Sequence, residues 1–132
     1  LCRGIYQQSS YFPMVGVFPL DVAMEPKPQG HGYTVLECVA DNPFFPKGWQ
    51  LKGHEFHYSR LLPNNEPLSL VFRLSKGYGI VNGGDGLCYK NTLASYTHLH
   101  ALGNDLWVEA MIRNAIHFRE LQIEQNDLRT IG

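Results

Sequence analysis

Short stretches of alternating hydrophobic and polar residues fill the first three quarters of the chain, and Gly and Pro separate them. Side chains two residues apart share one face of a strand, so this pattern predicts strands with one buried face. The main predicted strands span residues 13–20, 33–39, 50–60, 68–74 and 92–102. Loops and turns are predicted between them, at residues 21–32, 41–48, 61–67 and 77–86. Within the last of these, Asn82-Gly83 is a strong hairpin signal.

Only the end of the chain has the spacing of a helix. Apolar residues recur there at three- and four-residue intervals, and Asn104 or Asp105 is the predicted N-cap. We expect the apolar stripe to pack on the core, and it consists of Trp107, Val108, Met111, Ile112, Ala115 and Phe118. The predicted protein is therefore β-rich with a C-terminal helix, which suits the second half of an α/β sandwich.

Length and composition describe one globular domain. The chain has 132 residues, of which 44% are hydrophobic and 17% charged, enough apolar material for a core. A net charge of −1 without a basic run argues against nucleic acid or a charged membrane surface as the partner. No apolar run reaches the roughly 18 residues of a membrane span, and the first residues lack the pattern of a signal peptide. Three cysteines without a CxxC pair favour a reduced, cytoplasmic protein.

The stretch from Thr92 to Leu102 contains the most informative chemistry. As a strand it would place Tyr96, His98 and His100 on one face. Two imidazoles and a phenol are costly to bury without partners, so this face is a candidate functional site. A strand end whose histidines are merely hydrogen-bonded is the competing interpretation.

A metal site is one hypothesis for these histidines. His98 and His100 form an i, i+2 pair that can chelate a metal ion. A third ligand would have to come from Glu55, His57 or His31. We keep a metal binder as an alternative, and our main interpretation expects no metal.

Two nearby patterns fall short of known motifs. Residues 54–57 (HEFH) are one residue short of the HExxH helix motif of zinc proteases. Gly83, Gly84 and Gly86 lack the Lys-Ser/Thr pair of a phosphate-binding P-loop, and they are better explained as turn residues.

Nucleophilic catalysis is a third hypothesis. His98 is a suitable base for activating a cysteine thiol. Cys38 and Cys88, however, lie in predicted apolar strands, where cysteine behaves as a small hydrophobe. Cys2 is not framed by the glycines of a nucleophile elbow. The sequence therefore contains a base without an evident nucleophile.

Five motifs occur in a fixed order along nearly the whole chain. They are residues 13–21 (PMVGVFPLD), 28–33 (PQGHGY), 42–46 (NPFFP), 53–60 (GHEFHYSR) and 90–100 (KNTLASYTHLH). Together they resemble the C-terminal glutaminase domain of the cobyrinate a,c-diamide synthase family. The resemblance implies a class I-type glutamine amidotransferase domain with a flavodoxin-like α/β fold, of which residues 1–132 form the C-terminal part.

The resemblance also implies roles for single residues. His98 matches the catalytic histidine of the family, which is the partner of a cysteine nucleophile. His100 falls where many class I amidotransferases have the glutamate of the triad. Glu55 and His57 match a segment that lies close to the glutaminase site, and we interpret them as supporting residues.

The nucleophile implied by the resemblance is not one of the three cysteines. The family carries it in a Cys-Gly-Gly elbow, which we expect a few residues before Leu1. Cys2 matches a later position, inside the helix that follows the elbow. The N-terminal ATP-dependent domain of the family is likewise expected outside residues 1–132.

The parent enzyme implied by the resemblance amidates the a and c acetate side chains of a cobyrinate-type tetrapyrrole in cobalamin biosynthesis. It is a ligase that consumes glutamine and ATP, and ATP and Mg²⁺ would bind in the other domain. The expected partners are glutamine and the tetrapyrrole, and a homodimer is left open. The alternatives are amidation of nickel-sirohydrochlorin or sirohaem, an inactive structural fragment, and a histidine-based metal or tetrapyrrole binder.

Overall fold

Two β-sheets and one long helix near the C-terminus make up the described part of the protein. A computed structural model describes residues 1–63, 67–104 and 106–130, with the main chain alone for residues 126–130. In chain order the strands are β1 (Gly4–Gln7), β2 (Ser10–Pro13), β3 (Asp21–Met24), β4 (Gly30–Cys38), β5 (Gln50–His57), β6 (Ser59–Leu61), β7 (Leu70–Lys76), β8 (Gly84–Tyr89) and β9 (Thr92–Ala94), followed by helix α1 (Leu106–Thr130). The predicted strand-rich α/β class with a C-terminal helix is confirmed.

The first sheet has the strand order β2-β1-β3-β6. β1 pairs antiparallel with β2 and parallel with β3, and β3 pairs antiparallel with β6. The strand predicted at residues 13–20 is wrong, because β2 ends at Pro13. The loop predicted at residues 21–32 is also wrong in part, because it contains β3 and the start of β4.

The apolar run between β2 and β3 packs into a core instead of forming a strand. Gly16 adopts a φ of +69°, and Pro19 has no N–H to donate to a sheet. Phe18 and Leu20 are buried, and they form a small hydrophobic cluster with Leu87 of β8. Burial therefore explains the apolar residues at the end of the run, whereas Met14 and Val15 at its start are exposed.

The second sheet has the order β5-β4-β7-β8-β9, and all its neighbouring strands are antiparallel. The strands predicted at residues 33–39 and 68–74 are confirmed as β4 and β7. The strand predicted at residues 50–60 is confirmed in part, because it is divided into β5 in this sheet and β6 in the first sheet. The larger hydrophobic cluster packs on this sheet and consists of Leu36, Cys38, Phe45, Leu51, Val71 and Phe72.

The turn before β8 has the predicted hairpin geometry. Asn82 and Gly83 both have positive φ values, +51° and +71°, and Val81 and Gly84 exchange hydrogen bonds across them. This is the backbone conformation that favours an Asn-Gly pair. Of the turn predicted at residues 61–67, residues 64–66 lie outside the described residues.

The last strand is shorter than predicted. β9 ends at Ala94, and residues 95–100 continue without regular secondary structure. Among these six residues, His98 alone pairs with the sheet through its backbone, in a bridge with His54 of β5. The strand predicted at residues 92–102 is therefore wrong beyond Ala94, because a buried carboxylate takes over the main-chain donors of this segment, as described below.

Helix α1 contacts the rest of the described chain only through its first turns. Ala110 is buried, Trp107 is half-buried, and the Asn114 amide donates a hydrogen bond to the carbonyl of Pro43 at 2.7 Å. The prediction that the apolar stripe packs on the core is wrong for most of its residues. The exposed residues of the stripe are Val108, Met111, Ile112, Ala115 and Phe118. Within the described residues, no helix combines the length and hydrophobicity needed to span a bilayer.

Candidate functional site

The carboxylate of Asp85 in β8 holds the segment that follows β9. Its Oδ1 accepts hydrogen bonds from the N–H groups of Gly86 at 2.8 Å and Tyr96 at 3.1 Å. Its Oδ2 accepts from the hydroxyl of Ser95 at 2.8 Å and the N–H of Thr97 at 2.9 Å. Asp85 is fully buried. One side chain therefore fixes three consecutive residues, which no longer need a neighbouring strand to satisfy their donors.

The main chain of His98 is held against β5. Its N–H donates to the carbonyl of His54 at 2.7 Å, and its carbonyl accepts from the N–H of His54 at 3.2 Å. Gly53 allows this approach, because a Cβ there would lie 2.5 Å from the His98 carbonyl oxygen. Downstream, the buried Asn104 donates its amide to the carbonyl of Lys52 at 3.0 Å. The position of His98 is thus fixed from both sides.

The side chain of His98 is exposed, and its closest aromatic neighbour is His54. The two imidazole centroids lie 4.9 Å apart, with the ring planes inclined by 50°. An exposed imidazole on a fixed main chain can exchange protons with a reactant that approaches from solvent or from another part of a protein.

The common face predicted for Tyr96, His98 and His100 is not formed. The ring of Tyr96 stacks on that of His57, with centroids 3.6 Å apart and planes inclined by 1°. His57 and His54 are three residues apart in β5, so their side chains lie on opposite faces of the strand. Tyr96 and His98 therefore approach β5 from different sides.

His100 caps the short 3-10 turn at Ala101–Gly103. Its Nδ1 accepts a hydrogen bond from the N–H of Leu102 at 3.2 Å, and the side chain is exposed. The predicted place of His100 in a catalytic triad stays a prediction. Asn104, one of the two predicted helix caps, is bonded to β5 instead, and Asp105 lies outside the described residues.

Glu55 and His57 form a buried polar pair on the inner face of β5. The carboxylate of Glu55 accepts hydrogen bonds from the N–H groups of Tyr78 at 2.6 Å and Gly79 at 3.0 Å. The Nε2 of His57 lies 3.5 Å from Glu55 Oε2, and its Nδ1–H donates to the carbonyl of Ser59 at 2.9 Å. Glu55 and His57 thus connect the loop after β7 to β5. Because His57 stacks on the Tyr96 ring, they also contact residues 95–98, which we call the His98 segment.

Two of the three cysteines are unsuited to nucleophilic attack. Burial raises the pKa of the Cys38 thiol, whose Sγ accepts a hydrogen bond from the Asn42 amide at 3.1 Å. Burial also raises the pKa of Cys88. Both lie in strands, as predicted. Cys2 lies before β1 and not inside a helix, which corrects the prediction for its surroundings.

A mostly apolar cavity of about 150 Å³ adjoins the His98 segment. Ser95 and Tyr96 line one side of it, and Leu1 and Cys2 line another. Burial raises the pKa of the Tyr96 phenol, which is hydrogen-bonded to the Ser59 hydroxyl at 2.6 Å. The cavity brings the first residues of the chain next to the residues that precede His98.

The three-ligand metal site considered from the sequence is not formed by the described residues. No group of three or more His, Cys, Asp or Glu side chains within them is placed to hold one ion. His98 is paired with His54, whereas Glu55 and His57 lie on the other face of β5.

Asp85, His54 and Asn104 are the residues of this site that the sequence analysis missed. Asp85 follows two glycines and precedes a third, which is typical of an exposed turn residue. His54 received attention only as part of an incomplete zinc motif. The one available signal was the presence of Ser95 and Thr97 close to a lone acidic residue, and it is too weak to identify a buried carboxylate.

A family model described as a CobB/CobQ-like glutamine amidotransferase domain matches residues 1–106. This match includes every strand and the whole of the site around His98. The described part of helix α1 begins at the last matched residue, Leu106.

Several curated relatives are named cobyrinate a,c-diamide synthase. The chain is 33% identical over 100 residues to the one from Magnetococcus marinus, covering 76% of the chain and 21% of the relative. It is 40% identical over 105 residues to the one from Methanothermobacter thermautotrophicus, covering 80% and 23%. It is 43% identical over 88 residues to the one from Methanobrevibacter smithii, covering 65% and 20%. The chain thus spans about a fifth of the length of the relatives it matches.

Proposed function

Because the chain belongs to the CobB/CobQ-like glutamine amidotransferase domain family, we propose that it forms the glutaminase part of an ATP- and glutamine-dependent amide ligase, with His98 as the catalytic base. The observation that carries this proposal is the fixed main chain and exposed imidazole of His98 inside the matched region. An imidazole packed into hydrocarbon would have argued against it.

The proposed reaction is hydrolysis of the glutamine side-chain amide. A cysteine outside the 132 residues supplies the thiolate, and His98 accepts the thiol proton. The thiolate attacks the amide carbon, forming a carbon–sulfur bond, while main-chain N–H groups stabilise the oxyanion. His98 then donates its proton to the leaving nitrogen, so that the carbon–nitrogen bond breaks and ammonia is released. Water hydrolyses the thioester to glutamate.

The cavity supports a nucleophile that enters from the N-terminal side of the chain. Leu1 and Cys2 line this cavity together with Ser95 and Tyr96. A residue that precedes Leu1 in a longer chain would therefore lie close to Ser95 and Tyr96, which lead into His98, and the ring of His98 would have to be reached around the edge of β5. Glu55 and His57 act as supporting residues in this proposal, since they hold the neighbouring loop and the Tyr96 ring.

The finer proposal is that ammonia amidates the a and c acetates of cobyrinate, in a domain outside these residues that binds ATP and Mg²⁺. The names of the relatives support cobyrinate over nickel-sirohydrochlorin or sirohaem as the tetrapyrrole. A cytoplasmic location is part of the proposal, and the unpaired thiols of Cys2, Cys38 and Cys88 are consistent with it.

The proposal is tested in a full-length protein that contains this chain. We expect release of glutamate from glutamine, and a loss of roughly 10²- to 10⁴-fold in the His98→Ala variant, the range typical of a lost general base. His117→Ala, in the exposed part of α1, is the matched control. Amidation driven by an ammonium salt should survive in His98→Ala, because that route bypasses the glutaminase. A His98→Ala enzyme that hydrolyses glutamine at the wild-type rate would rule out His98 as the base.

Substrate choice is tested with the same protein by mass spectrometry. Cobyrinate should gain two amides in the presence of ATP, Mg²⁺ and glutamine. Conversion of nickel-sirohydrochlorin or a sirohaem precursor without conversion of cobyrinate would replace the finer proposal and leave the glutaminase assignment intact.

A further inference from the structure

Two imidazole rings, those of His54 and His98, lie side by side on the surface of the second sheet. Their centroids are 4.9 Å apart. The two residues exchange both main-chain hydrogen bonds, at 2.7 and 3.2 Å, as an antiparallel pair. Residues paired in this way carry their side chains on the same face of a sheet. The main-chain pairing therefore places the two side chains next to each other on one face, within reach of a shared ligand.

The main chain around this pair is fixed independently of the two rings. Asp85 binds the N–H groups of Tyr96 and Thr97 on one side of His98. Asn104 binds the carbonyl of Lys52 on the other side. A site on such a frame loses little conformational freedom when it takes up a ligand.

Both rings have nitrogens available for a ligand. Within the part of the chain that the structure describes, no hydrogen bond engages the ring nitrogens of His54 or His98, and both side chains are exposed. The neighbouring histidines differ in this respect. His57 donates Nδ1–H to the Ser59 carbonyl, and His100 uses Nδ1 to accept from Leu102.

The spacing of the rings suits a shared transition-metal ion. Imidazole nitrogens bind zinc at about 2.0–2.1 Å in a tetrahedral arrangement, which places the centroids of two ligating rings roughly 5 Å apart. The observed distance of 4.9 Å matches this spacing. Imidazole favours zinc, copper and nickel ions, whereas magnesium and calcium prefer oxygen ligands.

We propose that His54 and His98 together bind one divalent transition-metal ion, with water in the remaining coordination positions. Because no third protein ligand joins them within the described residues, the site is open and exchanges its metal readily. The next step rests on the proposed function: with His98 as the catalytic base, the bound ion occupies a nitrogen of the proton acceptor. Metal binding would then inhibit glutamine hydrolysis.

The binding test uses the 132-residue chain with reduced thiols and zinc chloride as the probe. Isothermal titration calorimetry should give one site per chain in the wild type. His54→Asn and His98→Asn should each weaken binding by at least the roughly 10- to 100-fold that loss of a mere outer-shell partner costs. His31→Asn and His117→Asn are matched controls on other exposed histidines and should bind as the wild type does. Circular dichroism confirms that each variant is folded.

The ring signals of His54 and His98 in NMR spectra provide a second readout. Zinc should shift both sets of ring signals and leave those of His31 and His117 in place. Wild-type affinity in both pair variants, or zinc-induced shifts confined to other residues, would overturn the proposal. A chain that binds no zinc at millimolar concentration would overturn it as well.

The binding test contains no glutamine, so its failure is distinguishable from a failure of the proposed function. In the full-length protein, zinc should inhibit glutamate release, and a chelator should restore it. Zinc bound by the pair without inhibition of glutamate release would keep the metal site and count against His98 as the base.

Discussion

The carboxylate of Asp85 and the main-chain N–H of Thr97 are joined by a buried hydrogen bond of 2.9 Å, one residue before His98. Thr97 is twelve residues away in sequence and follows the end of β9. The bond therefore replaces a strand pairing that would otherwise have to satisfy this donor. Asp85 is in effect the structural reason that the segment leaves the sheet and brings His98 to β5.

Replacing Asp85 with Asn should destabilise the protein by roughly 2 to 4 kcal/mol, because the amide offers one acceptor oxygen where the carboxylate offers two. Its NH₂ group would face either the Tyr96 and Gly86 donors or the Thr97 and Ser95 donors. Urea denaturation measures the change in the free energy of unfolding.

Asp41→Asn is the matched control for Asp85, since Asp41 is exposed and should change stability by less than about 0.5 kcal/mol. Equal stabilities of the two variants would mean that the buried carboxylate does not hold the segment. The amide signals of residues 95–98 in NMR spectra should shift in Asp85→Asn alone.

Gly53→Ala should displace His98 without changing any polar group. The added Cβ would lie 2.5 Å from the carbonyl oxygen of His98 and 2.7 Å from Cγ2 of Thr97. A main-chain oxygen cannot move aside as the end of a flexible side chain can. We expect a loss of about 1 to 3 kcal/mol, typical of overpacking, measured as a lower melting temperature.

Gly103→Ala is a fitting control for this substitution, since a Cβ at Gly103 meets no atom within 4 Å. Its stability should equal or slightly exceed that of the wild type. If Gly53→Ala were as stable as Gly103→Ala and kept the wild-type NMR signals of His98, the close approach to β5 would be wrong.

The sequence predicted those parts of the fold that depend on local pattern. Alternation along β4 and β5 reflects one buried face, and Asn82-Gly83 reflects the positive φ values of its turn. Both signals come from residues that are neighbours in the chain. For the same reason His98 was recognisable, since the motif around it is continuous.

The surroundings of His98 depend on contacts between distant residues, and the sequence did not predict them. His54 and His98 are 44 residues apart, and the Asp85 carboxylate lies in a different strand from the donors that it binds. The prediction that the apolar stripe of α1 packs on the core was wrong for a related reason. Periodicity indicates which side chains share a helix face, but only the tertiary structure decides whether another element covers that face.

The ion pair between Arg3 and Asp21 should make stability depend on pH. Hydrogen bonding and charge from Arg3 lower the pKa of the Asp21 carboxyl in the folded protein. Since the folded pKa lies below the unfolded one, the unfolded state binds more protons in acid. The stabilisation is present above the unfolded value, about pH 4, and is lost as the pH falls through the folded value.

Melting temperatures of wild type and Asp21→Asn, measured from pH 7 to pH 2, test this sign. The difference between them should be largest near neutral pH and should shrink in acid. Because the Arg3 side chain is exposed, 0.5 M salt should also reduce the difference. A difference that grew as the pH fell would contradict the lowered pKa.

Glu55, like Asp85, is a buried carboxylate that accepts hydrogen bonds from main-chain N–H groups of a loop. It accepts hydrogen bonds from the N–H groups of Tyr78 and Gly79, at 2.6 and 3.0 Å, and so holds the loop between β7 and β8. In Glu55→Gln, the amide nitrogen would face a main-chain donor in either orientation: the N–H of Tyr78, or the N–H of Gly79 with the Nε2 of His57 3.5 Å away. The cost should be that of one buried unpaired donor, about 1 to 3 kcal/mol.

Hydrogen exchange shows which residues lose protection in Glu55→Gln and by how much. The amides of Tyr78 and Gly79 should exchange faster in Glu55→Gln, because each loses all or part of a charge-assisted acceptor. Glu37→Gln, on the exposed side of β4, should leave both the stability and these exchange rates unchanged. If Glu55→Gln lowered stability but left the protection of the two amides unchanged, the carboxylate would stabilise the protein through His57. The loop would then be held by its other backbone hydrogen bonds.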